Sequence, residues 1–180
     1  MNTLHPSPDI QLRILTKADA ATLFSLVDQN RAYLRRWLGW LDKTKTIADS
    51  EGFLKEAEAA AIAKKFFRFG IFYQEILVGI IELQTIDFTN KKAQVGYWLA
   101  EDYQGKGIVT LSLKALLDFA FNTLALHRIE IHVATGNKSS ANVCKRLGFV
   151  QEGTLRENEW LYDHYVDHEV WGLVEESYNQ

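Results

Sequence analysis

Apolar and polar side chains alternate from Ile10 to Leu15 (IQLRIL), the period of two that a half-buried strand imposes, so a first strand is expected there. Thr16, followed three residues later by Asp19, is a helix-start signature, and Leu23, Phe24, Leu26 and Val27 give the next segment an apolar stripe. Asn30 to Leu41 (NRAYLRRWLGWL) reads as a short helix and a loop carrying Trp37 and Trp40, with Arg31, Arg35 and Arg36 solvating the helix. Phe53, Ala57 and Ala61 then recur at helical spacing in an alanine-rich stretch reaching about Lys65. In the middle of the chain the period changes. Phe66 to Tyr73 (FFRFGIFY) and Ile76 to Leu83 (ILVGIIEL) are apolar runs separated only by Gln74 and Glu75, which predicts an antiparallel hairpin. A third strand, Lys92 to Ala100, follows a polar turn around Asn90. Leu113, Leu116, Leu117, Ala120, Phe121 and Leu124 then form the cleanest amphipathic stripe in the chain, within a helix expected from Leu111 to Thr123. His127 to Thr135 alternates like a strand, NKSSANVCKRLGF makes a short helix closed by Gly148, and Tyr165 to Leu173 reads as a last strand.

These elements predict a mixed α/β fold: an antiparallel middle followed by a strand, helix, strand crossover. At the first turn of that crossover, the carboxyl end of a strand, lies the glycine loop EDYQGKGIVT, Glu101 to Thr110. A glycine turn feeding a helix N-terminus is an anion site, because free N–H groups and the positive end of the helix dipole meet there. A Walker loop is excluded, since no glycine lies five residues before Gly105 and Lys106 is followed by Gly107. The dinucleotide fingerprint starts at Gly105 and Gly107 but has Thr110 in place of its third glycine. Two readings of the loop remain open on these residues: an ordinary turn, or a cradle for a pyrophosphate.

The 180 residues, 47% hydrophobic and 24% charged, fit one globular domain with a full core. A net charge of −3 and a pI near 6.0 provide no basic field for nucleic acid or acidic membranes. The one cysteine, Cys144, can form no internal disulfide, which fits a reducing compartment. The N-terminus lacks a secretory pattern, and Phe66 to Leu83 is interrupted by Arg68, Gln74 and Glu75, so neither export nor a membrane span is expected. A cytoplasmic location follows.

Three segments, VGYWLAEDYQGKGIVT, HRIEIHVATGNKSSANVCKRLGFVQEGTLRE and the hairpin before them, together resemble the GCN5-related N-acetyltransferase (GNAT) superfamily, and within it the branch that acetylates ribosomal-protein N-termini. The similarity runs from about Ile10 to Leu173, which implies a single acetyltransferase domain over residues 10–175 with a mixed, mostly antiparallel sheet flanked by helices. The family loop is Gln or Arg, two residues, Gly, one residue, then Gly or Ala; Gln104 and Gly107 match, while Val109 departs at the last position. The resemblance implies that N–H groups across Gln104, Gly105, Lys106, Gly107, Ile108, Val109 and Thr110 cradle the pyrophosphate of acetyl-CoA. It further implies that the Trp98 and Leu99 backbone pairs with the pantetheine arm, a bulge in that strand aiming an amide at the thioester carbonyl, and that Asn137 hydrogen-bonds the pantetheine.

Acetyl transfer from a thioester to an amine needs a neutral amine, a stabilised oxyanion and a protonated leaving thiolate. By the family pattern Ser140 lies by the sulfur and relays its proton, and Glu159 stands where the ribosomal branch has a general base. Each has a plainer reading. Asn137 is a good helix cap, and Glu159, like its neighbour Glu157, can be a solvated surface carboxylate. Many relatives use a water chain as base. His164 and His168 have the spacing of a helical metal pair but sit in a strand-like stretch, so no metal is expected, and Cys144 is read as core. Trp37 and Trp40 line an acceptor pocket or are buried. The acidic residues Glu157, Glu159, Asp163, Asp167 and Glu169 favour a cationic amine. A ribosomal-protein N-terminus is the first acceptor expected, a polyamine or aminoglycoside the second, and a non-catalytic CoA-binding module the third reading. A homodimer is also expected from the family.

Overall fold

The structure is a computed structural model that describes residues 3–63 and 65–178. Its strands are β1 (Leu4–Ser7), β2 (Ile10–Ile14), β3 (Phe67–Tyr73), β4 (Ile76–Asp87), β5 (Lys92–Leu99), β6 (Arg128–Ala134), β7 (Val150–Leu161) and β8 (His164–Val174). They form one sheet in the order β1-β2-β3-β4-β5-β6-β8-β7. Every neighbouring pair is antiparallel except β5 and β6, which the crossover helix makes parallel. The longer helices are α1 (Ala20–Gln29), α3 (Ile47–Ile62), α4 (Ile108–Asp118) and α5 (Lys138–Arg146), and the one-turn α2 (Arg31–Leu34) lies between the first two.

Helices cover both faces of the sheet, which is why β3 and β4 read as apolar runs instead of alternating. On one face Leu113, Leu116, Leu117 and Phe121 of the α4 region pack with Phe69, Ile81 and Val95 of the sheet. On the other face Leu23 and Val27 of α1 and Leu54 of α3 pack with Leu77 and Ile80 of β4. Each fully buried leucine contributes roughly 1.5–3 kcal/mol by leaving water. The β3–β4 connection is the expected two-residue hairpin, with Gln74 (φ 48°) and Glu75 (φ 67°) both left-handed as a type I′ turn demands.

The Thr16 and Asp19 pair forms the anticipated capping box, although a 3-10 turn, Lys17–Asp19, precedes α1. The helix expected to reach Lys65 ends at Ile62, and Lys64 lies outside the described residues. The crossover helix begins three residues earlier than expected, at Ile108, and continues beyond Asp118 as a π-helical turn, Phe119–Thr123. Two strands were not anticipated. β1 contains Pro6, tolerable because it is a sheet edge, and β7 is a mostly polar edge strand exposed along nearly its whole length. Neither carries a buried face, so neither shows an apolar period.

β5 and β6 pair only at Lys92↔Arg128, Ala93↔Ile129 and Gln94↔Glu130. Beyond Gln94 they diverge, and the divergence opens the sheet at its centre.

Candidate active site

The split between β5 and β6 is a cleft of about 1310 Å³, lined by Val95 to Leu99 on one side and Ile131 to Ala134 on the other. At one end stands the glycine loop. Gly105 (φ 73°) and Gly107 (φ 74°) are both left-handed, and a Cβ built on either would meet no atom within 4 Å. Their requirement is therefore conformational, not spatial. Gly107 is the N-cap of α4, so the first-turn N–H groups from Ile108 onward have no intrahelical acceptor and face the cleft end. The Gln104 side-chain amide donates to the Tyr33 hydroxyl, and the Glu101 N–H donates to Asn30 Oδ1 at 2.9 Å, tying the loop to the α1–α2 junction. Gln104, Gly105, Gly107, Ile108, Val109 and Thr110 all line the cleft. The Lys106 ammonium instead lies over the rings of Tyr103 and Tyr73, at 4.8 and 5.9 Å.

Along the cleft wall, the Ala100 N–H donates to the Val78 carbonyl of β4 at 2.8 Å. Successive peptide groups of a strand point to opposite sides, so the Trp98 peptide also faces β4, while the Leu99 and Tyr97 N–H groups face the cleft. The Trp98 backbone, expected to pair with a ligand arm, is thus committed to the ladder. No bulge occurs in β5 here: the register runs unbroken from Gly79↔Leu99 to Gln84↔Gln94 and shifts only beyond it. Divergence from β6, not a bulge, frees the Leu99 N–H. Trp98 contributes its indole, 6.4 Å from that of Trp40.

Opposite Leu99, α5 presents its N-terminal turn. Asn137 accepts from the Ser140 N–H at 3.2 Å and caps the helix, and it also lines the cleft. Ser140 Oγ lies 2.7 Å from the Tyr97 hydroxyl, a partner 43 positions away that no local motif announces. Burial holds the Tyr97 phenol well above its ordinary pKa, so it stays protonated. Burial likewise pushes the Cys144 thiol up to about 12, which agrees with a core residue.

At the far end Glu159 reaches the cleft beside Gly39, where a Cβ would lie 3.2 Å from Glu159 Oε1. Glu159 Oε2 is 3.3 Å from His168 Nε2, and Asn158 Nδ2 is 2.8 Å from His168 Nδ1. The β7–β8 register shifts between Leu155↔His168 and Glu159↔Val166, so three β7 residues bulge opposite Asp167 alone. The Glu157 N–H donates to Asp167 Oδ1 at 2.7 Å and pins that bulge. The presumed acidic cluster is therefore dispersed. Asp167 serves the bulge, Asp163 pairs with His164 at the hairpin, and Glu169 accepts from the Trp171 indole at 3.0 Å, leaving only Glu159 in the cleft. His164 and His168 share a strand face without converging, and no group of three or more His, Cys, Asp or Glu suited to a metal occurs among the described residues. The arginines near Trp37 do more than solvate their helix: Arg31 donates to the Leu41 and Thr44 carbonyls at 2.7 and 2.8 Å, and Arg35 pairs with Asp42 at 2.9 Å. These contacts fold the loop that sets Trp37 and Trp40 over the cleft.

Over residues 9–150 the sequence matches the family model described as an acetyltransferase (GNAT) domain. The chain belongs to the GNAT family. The GNAT relatives include the ribosomal-protein-serine acetyltransferase of Escherichia coli, 29% identical over 97% of this chain and 98% of that one. Among solved GNAT structures, the ribosomal L7/L12 alpha-N-protein acetyltransferase RimL in complex with coenzyme A aligns with a TM-score of 0.93 at 26% identity, covering 96% of this chain and 98% of the other. The microcin C7 self-immunity acetyltransferase MccE, in complex with acetyl-CoA and AMP, aligns with a TM-score of 0.91 at 28% identity, covering 94% of each chain. As a GNAT enzyme this protein is an acetyl-CoA-dependent N-acetyltransferase. Its geometry fits the cosubstrate: left-handed glycines clear of other atoms, a helix N-terminus for the phosphates, and the Leu99 backbone turned into the cleft.

Proposed function

We propose that the protein acetylates the α-amine of a ribosomal protein, with residues 10–175 as one catalytic unit. The observation that carries this reading is a single continuous cleft joining the α4 N-terminus, whose free N–H groups suit anions, to Glu159, a carboxylate suited to take a proton. At about 1310 Å³ the cleft exceeds the roughly 300–1,000 Å³ of ordinary small-ligand sites, which leaves room for a peptide terminus beside the cosubstrate. The acceptor named for the Escherichia coli relative and for RimL points the same way.

Acetyl-CoA supplies the acetyl group as a thioester. N–H groups of the loop and first α4 turn, from Gln104 to Thr110, hold its phosphates, with Asn137 on the arm. The Glu159 carboxylate takes the proton that the amine nitrogen loses as its bond to the acetyl carbon forms. The Leu99 N–H donates to the carbonyl oxygen as charge develops there, and Ser140 Oγ–H passes a proton to sulfur as the carbon–sulfur bond breaks. The Tyr97 hydroxyl, 2.7 Å away, stays protonated and holds Ser140 Oγ in place, and solvent restores the serine proton. A cytoplasmic location and a homodimer accompany this reading, the latter open to gel filtration.

The test is thiol release from acetyl-CoA by the purified protein with ribosomal-protein extract, and separately with polyamines and aminoglycosides. Release only with extract, and an acetyl mass added to one chain's N-terminus, is the expected result. Release only with a small amine would replace the protein acceptor. Tight acetyl-CoA binding without release in either set would favour a binding module.

A further inference from the structure

His168 has no role in the scheme above, yet its ring lies against Glu159, Nε2 3.3 Å from Oε2. Consecutive residues of a regular strand face opposite sides of the sheet. Asn158 and Glu159 nevertheless both reach the His168 ring, because the Arg156 to Asn158 bulge in β7 breaks the alternation at that point. Asn158 Nδ2 offers a hydrogen to His168 Nδ1 at 2.8 Å, which makes Nδ1 the acceptor and leaves the ring hydrogen on Nε2, 3.3 Å from Glu159 Oε2. The imidazole is only 12% exposed. We propose that His168 is a positioning residue for the acetyl transfer: fixed as the Nε2–H tautomer by Asn158, it donates to Glu159 and keeps that carboxylate aimed into the cleft. The inference rests on the reading of Glu159 as the base.

The groups around the ring are compatible with this state. Glu159 faces it from β7 and His132 from β6, the two imidazole centroids 6.5 Å apart, while Asp167 is its neighbour on β8. His132 is itself turned to Glu130, 3.5 Å away, and Glu130 to Arg128 at 2.9 Å. Burial depresses the His168 pKa more than Glu159 and Asp167 raise it, and His132 adds to the depression, so the ring is uncharged at neutral pH. A neutral donor stabilises the carboxylate without adding a positive charge that would repel an incoming ammonium.

The experiment compares kcat and the acceptor KM for wild type, His168→Ala, His168→Gln, Glu159→Gln and the double variant Glu159→Gln/His168→Ala. Removing the donor frees the carboxylate to turn away from the cleft, so His168→Ala is expected to lower kcat about tenfold with KM within about twofold of wild type. His168→Gln, which retains an N–H donor, should recover most of the lost kcat. In the Glu159→Gln background His168→Ala should cost nothing further, because its partner is gone. An unchanged kcat in His168→Ala, or an equal further loss in the Glu159→Gln background, would overturn the proposal. If Glu159→Gln alone keeps full kcat/KM, the reading of Glu159 as base fails instead. Ring nitrogen NMR of the wild type provides a check independent of variant folding: a protonated Nε2 and a bare Nδ1 at pH 7 are expected, and the reverse tautomer would refute the assignment.

Discussion

The two ends of the cleft are built in different ways. The loop end is made of backbone contributed by one contiguous stretch, in which Gly105 and Gly107 set the chain direction and α4 lends its first-turn N–H groups. The Glu159 end is made of side chains, with Glu159, Asn158 and His168 meeting across two strands and the Trp37 to Trp40 loop arriving from the N-terminal half. A backbone site depends on dihedral angles and tolerates exchange of side chains that can adopt them. A side-chain site depends on chemical identity. Binding of the cosubstrate and proton transfer from the acceptor should therefore be separable by mutation.

Glu159→Gln tests that separation with the largest effect: kcat should fall about a hundredfold or more while the acetyl-CoA Kd holds, as pre-steady-state and calorimetric measurements would read. Unchanged kcat would mean that a water chain takes the proton. Gly107→Val makes the opposite cut. A β-branched residue at φ 74° carries strain of about 1–3 kcal/mol, so acetyl-CoA Kd should rise about tenfold to a hundredfold by calorimetry, with kcat at saturation far less affected. An unaltered Kd would show that the loop does not hold the phosphates. Between the ends, Tyr97→Phe and Ser140→Ala should each lower kcat about fivefold, and the double variant should be little worse than the poorer single one, because the two hydroxyls act in series. Additive losses would separate their roles. The smallest expected effect is at Cys144: its thiol is displaced to about 12, so below that pH it stays protonated and a thiol reagent at pH 8 should leave the folded protein untouched, then modify one site after denaturation.

How much of this was legible follows the same division. The hairpin, the amphipathic α4 and the helix capped by Asn137 are encoded by spacings within a few residues, and each formed close to the expected bounds. β7 was missed because a strand exposed on both faces has no reason to alternate, and β1 because Pro6 argues against a strand anywhere but an edge. The grouping of acidic residues in the tail suggested a cluster, yet strand pairing sends Asp167 to a bulge and Glu169 to the Trp171 indole.

By itself the sequence determined the local elements, the left-handed glycine turn before α4 and the family, since these depend on residue type at short fixed separation. Only the tertiary structure decided that β5 and β6 part after Gln94, that Tyr97 meets Ser140, and that His168 meets Glu159. Those contacts arise from strand order, register and one bulge, and such long-range pairings leave no period in the chain that forms them.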